Sequence, residues 1–66
     1  MEDLLKDWDA QVYREVKHFR DRGEGIANAK RMAIKKVVLN ILPKINEDTP
    51  KSHISFIIEK VLTELL

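Results

Sequence analysis

The feature that most constrains this 66-residue chain is the stretch IANAKRMAIKKVVLNIL at residues 26–42, whose second half is apolar almost all the way round a helix. Ile26, Ala33, Ile34, Val37 and Ile41 recur at helical spacing as a main stripe, and Met32, Leu39 and Leu42 project from other sides. A helix apolar on several sides is stable only between several neighbours. Ala27, Ala29 and Ala33 keep its early turns slim enough for one of them to approach closely. Pro43 ends the helix, because its ring blocks the backbone hydrogen bond and restrains its predecessor.

The flanking segments read as two such neighbours. Met1, Leu4, Leu5, Trp8, Val12, Val16 and Phe19 fall within an arc of about 120° on a helix expected over residues 2–22, the width of a core-facing stripe. Acidic Glu2, Asp3 and Asp7 open it and Lys17, His18, Arg20 and Arg22 close it, both matched to the helix dipole. Gly23 then supplies a C-terminal cap, and Gly23-Glu24-Gly25 is short enough to fold the next helix back as an antiparallel hairpin. A third helix is expected over residues 50–65, with Thr49 as N-cap and Pro50 at its first position. Ile54, Ile57, Ile58, Val61, Leu62 and Leu65 make its core face, leaving Phe56 on the opposite side. The expectation is one all-α domain over residues 1–66: a small three-helix bundle with helices near 2–22, 25–42 and 50–65.

A core this small supplies only about 3–5 kcal/mol of net stability. The chain has no cysteine, and His18 and His53 alone cannot assemble a structural zinc site, which leaves efficient helix packing or association with another chain; completion by homodimerisation is the expectation. Hydrophobic content of 44% beside 35% charged residues fits a folded rather than a disordered chain. The acidic opening MEDLLKDW is unlike a secretory signal, and no apolar run reaches the ~20 residues needed to span a bilayer. A cytoplasmic location without membrane contact is the expectation.

Catalytic signals are missing. Ser52, His53 and Ser55 are neighbours in sequence, but adjacent helical positions point in different directions, and a bundle this small leaves little room for a substrate pocket. Glu15 and His18 have the Glu-x-x-His spacing of di-iron sites, which need a second such pair and further carboxylates. No enzyme activity, cofactor, metal or small-molecule substrate is therefore expected.

Two surfaces point towards binding. Met32, Val38, Leu39, Leu42 and Phe56 form the expected protein interface, an apolar set too large for so small a monomer to leave in water. Its occupant is a second copy, a larger protein, or both, in keeping with a non-catalytic regulatory module. The alternative is nucleic acid. The net charge of +1 divides into −3 over residues 1–13, +5 over 14–36 and −1 over 37–66. Arg20, Arg22, Asn28, Lys30, Arg31, Lys35 and Lys36 thus gather where the first two helices join, and Asn and Arg suit adenine and guanine edges.

Overall fold

The computed structural model describes residues 5–66, which form a three-helix bundle without strands: α1 (Trp8–Asp21), α2 (Ile26–Ile41) and α3 (Lys51–Lys60). A 3₁₀ turn, Leu42–Lys44, follows α2, and a π-helical segment, Val61–Leu65, extends α3. Both α1 and the end of the third helical segment pack on α2.

Residues 1–4 lie outside the described residues, and with them the helix start expected near residue 2 and the charges of Glu2 and Asp3. Within the described part α1 begins at Trp8, later than expected, because Asp7 leaves helical geometry at φ −111° and ψ 25°. A hydrogen-bonded turn, Trp8 N–H to the Leu5 carbonyl at 3.1 Å, leads into it. The far end follows expectation. Gly23 adopts φ 100°, its N–H donates to the Arg20 carbonyl at 2.9 Å, and the Glu24 N–H donates to the Phe19 carbonyl at 3.1 Å. Those two bonds make a Schellman cap, which requires one left-handed residue and so favours glycine.

On α2 the buried residues are Ala29, Ala33, Ile34, Val37, Val38 and Ile41. At 100° per residue they cover about half the circumference. Two neighbours pressing on one helix produce that width, which exceeds the single stripe of a surface helix. Ile26, placed by its spacing in the main stripe, is instead exposed, because it lies in the first turn beyond the reach of the core. Trp8 and Ile57 complete the cluster, with Leu5, Val12, Ile45, Phe56, Val61 and Leu65 packed against it.

The connection to α3 departs from expectation at its cap. Asn46 Oδ1 accepts from the Asp48 N–H at 2.8 Å, and the Thr49 hydroxyl accepts from the Asn46 N–H at 2.9 Å. With its oxygen engaged inside the loop, Thr49 does not cap the helix. Pro50 takes the N-cap position at ψ 139°, and its carbonyl accepts from the N–H groups of His53 and Ile54. At the other end the Thr63 hydroxyl donates to the Glu59 carbonyl at 2.8 Å, a side-chain bond to the residue four earlier that accompanies the widened π turn.

The third segment is also rotated from the expected phase. Phe56 does not face away: it packs edge-on against Trp8, with ring centroids 5.2 Å apart and planes at 89°. Ile58 and Leu62 turn outward instead. An edge-to-face pair of this kind contributes about 0.5–1.5 kcal/mol beyond the area it buries, enough to choose between two apolar faces of similar content.

Three substitutions test this packing by thermal or denaturant unfolding. A Cβ at Gly23 meets nothing within 4 Å, so Gly23→Ala isolates the backbone cost, expected at about 1 kcal/mol and a melting point lower by roughly 4–8 °C. Ile41→Ala removes a core side chain at a cost of roughly 2–4 kcal/mol, most of the stability available to this chain. Leu39→Ala, on the outer side of the same helix, changes the stability of the isolated chain, measured at submicromolar concentration, by no more than about 0.5 kcal/mol.

Candidate binding surfaces

Four of the apolar residues on the outer side of α2 and the third segment are Leu39, Leu42, Ile58 and Leu62, and Met32 joins them; all five are 40–56% exposed. Met32, Leu39 and Leu42 thus stand where the sequence put them. Val38 and Phe56 do not: Val38 is 5% exposed in the core, and Phe56 is half-buried against Trp8. Both are held inward because α2 is packed on two sides and Trp8 takes Phe56 as its aromatic partner. Ile58 and Leu62 were assigned to the core by spacing alone. Periodicity identifies an apolar face but cannot tell which of two faces a neighbouring tryptophan will select.

Leu65 shows how the outer sides of the two helices meet. Together with Glu24, Asn28, Arg31, Met32 and Lys35 it lines an open depression of about 610 Å³. The outer stripe of α2 therefore borders the end of the third segment.

The basic residues divide between two depressions and two ion pairs. Asn28, Arg31 and Lys35 share the depression just described. Arg20 lines a second one of about 600 Å³, with Tyr13, Val16, Lys17, Asp21 and Ile26. Arg22 is the exposed C-cap of α1. Lys30 lies 3.8 Å from Glu64 Oε2, an ion pair linking α2 to the π segment. Lys36 lies 3.0 Å from Glu15 Oε2 and also sits over the Phe19 ring at 6.0 Å, fastening α2 to α1. Lys30 and Lys36 are thus engaged within the fold, whereas Arg31 and Lys35 have no ion pair among the described residues.

Glu15 and His18 are likewise occupied in packing, Glu15 with Lys36 and His18 edge-on to Phe19 at 5.3 Å. Among the described residues no three His, Cys, Asp or Glu side chains are grouped to hold a metal ion, and no helix is long and apolar enough to cross a membrane.

The fold and its surfaces define a class, the small all-α three-helix bundle with one side of its central helix left open. Comparison with protein-family models, with curated proteins and with solved structures finds no match.

The division of the lysines into structural and free ones has a measurable consequence. Glu15 Oε2 is shielded from solvent, so Lys36→Ala leaves that carboxylate oxygen without its cation and forfeits the contact over Phe19. A loss of about 1 kcal/mol is expected on denaturant unfolding, whereas Lys35→Ala stays within about 0.5 kcal/mol. Equal effects of the two substitutions would show that the Lys36 pair contributes nothing.

Proposed function

We propose that this chain is a non-catalytic binding module that docks another helical protein surface on the outer face of α2 and the third segment. The observation that carries this reading is the exposure of Met32, Leu39 and Leu42 on α2 and of Ile58 and Leu62 on the third segment, in a chain with eight buried apolar residues among those described. Leaving so much aliphatic surface in water works against a domain of marginal stability, and a helical partner removes it. The side chains are large and apolar, with Arg31 and Lys35 at one margin to orient what binds.

Nucleic-acid binding is the second reading, and one observation favours it: Asn28, Arg31 and Lys35 line one depression with both cations unpaired among the described residues. Against it, Glu24 borders the same depression, and Lys30 and Lys36 neutralise acids of the chain itself. The charge left over is modest for phosphate binding.

Capture from a nuclease-treated host lysate at high salt separates the two. The parent chain is expected to retain a protein partner, and the Leu39→Asp/Leu62→Asp double variant to lose it while keeping its helical circular dichroism. Retention of the same protein by the folded double variant would reject the proposed face. If the nucleic-acid reading holds instead, Arg31→Glu/Lys35→Glu abolishes DNA retardation at low salt, and binding by the parent falls steeply as salt rises.

A further inference from the structure

Resting on the reading of this face as a protein-docking surface, we infer that its occupant is a second copy of the chain, paired antiparallel along α2 about a two-fold axis. Three observations lead there.

The first is spacing. Asn28, Met32, Lys35, Leu39 and Leu42 follow one another at intervals of four, three, four and three residues along the outer side of α2. That alternation keeps a seam facing a partner helix, and its stretch from Met32 to Leu42 is about 15 Å long. The apolar members lie towards the C-terminal end, and Ile58 and Leu62 on the third segment are exposed as well. Two copies brought together on this seam enclose α2 and the third segment of each in a four-helix arrangement.

The second is charge. Lys35 lies at the middle of the seam and Arg31 beside its N-terminal half, and neither has an ion pair among the described residues. The loop beyond its C-terminal end carries exposed Glu47 and Asp48, which outweigh Lys44 there. An antiparallel two-fold pairing sets the basic end of each copy beside the acidic loop of the other. A parallel pairing would set like beside like and repel. In the antiparallel register centred near residue 37, Met32 meets the partner's Leu42, and the stem of Lys35 lies along the partner's Leu39 with its ammonium directed outward.

The third is area. A stable dimer removes about 600–1,000 Å² from each partner, a minor part of the 5030 Å² that this chain exposes. The apolar groups needed for the centre of such an interface are those already exposed on this side. A two-fold pairing also closes on itself, so the seam is covered without propagating into filaments.

Sedimentation velocity tests the inference on the intact chain. The parent is expected to sediment as a dimer, twice the 7.7 kDa chain mass, at tens of micromolar. Leu39→Asp, and Leu42→Asp as a second disruption, are expected to be monomeric with unchanged helical circular dichroism. Arg31→Glu/Lys35→Glu and Glu47→Lys/Asp48→Lys should each weaken the dimer at least tenfold alone, and mixing the two variants should restore it. A helical parent that stays monomeric at hundreds of micromolar overturns the second copy as occupant; face-dependent capture of another protein would then leave the docking surface itself standing. A parent dimer that survives both aspartate substitutions overturns the seam. Failure of the mixed charge variants to recover association overturns the antiparallel arrangement.

Discussion

The packing of α1 against α2 is the constraint on which the rest of the structure depends. Ala29 and Ala33 are fully buried in the first half of α2, and the larger Ile34, Val37, Val38 and Ile41 join Trp8 in the core further along. The Schellman cap at Gly23 reverses the chain within a few residues and makes the two helices antiparallel neighbours. Closing that hairpin brings Glu15 to Lys36 and places the lysine over Phe19. A charge that looks like part of a basic patch is thereby recruited to hold the hairpin shut.

The third segment is fitted to the hairpin through Trp8 as well as through α2. Trp8 is buried at the start of α1, and its edge-to-face contact with Phe56 sets the rotation of α3. With Phe56 turned inward, Ile57 becomes the central buried residue of α3, and Ile58 and Leu62 are left outside. Leu65, carried round by the π turn, still reaches the core and also borders the outer stripe of α2. One aromatic contact therefore determines which aliphatic side chains the third segment presents to solvent.

Much of this was legible in the sequence. The three helices, the glycine cap, the arrest near Pro43 and the packing of α2 on more than one side follow from spacing and from the backbone limits of glycine and proline. Outer exposure of Met32, Leu39 and Leu42 followed too, from their position off the main stripe. The parts that were not legible depend on contacts distant in sequence. Periodicity gave Phe56 and Ile58 opposite orientations to those they take, because nothing local encodes the contact with Trp8 some fifty residues away. Thr49 looked like a cap, but a neighbouring Asn46 competes for its hydroxyl. The basic residues looked like one cluster, and only the positions of Glu15 and Glu64 reveal which lysines are already paired.

One side of α2 closes the core against α1 and the third segment, and the other is exposed, with Met32, Leu39 and Leu42 along it and with Arg31 and Lys35, which have no ion pair among the described residues, towards one end. We propose that this outer side, and not the inner one, pairs with a second copy of the chain. Methyl resonances followed on dilution report on both sides in one experiment. Shifts of Met32, Leu39, Leu42, Ile58 and Leu62 that depend on concentration, with those of Val12 and Ile34 constant, are the predicted result. Outer methyl shifts that stay constant across the full concentration range would contradict self-association through this face.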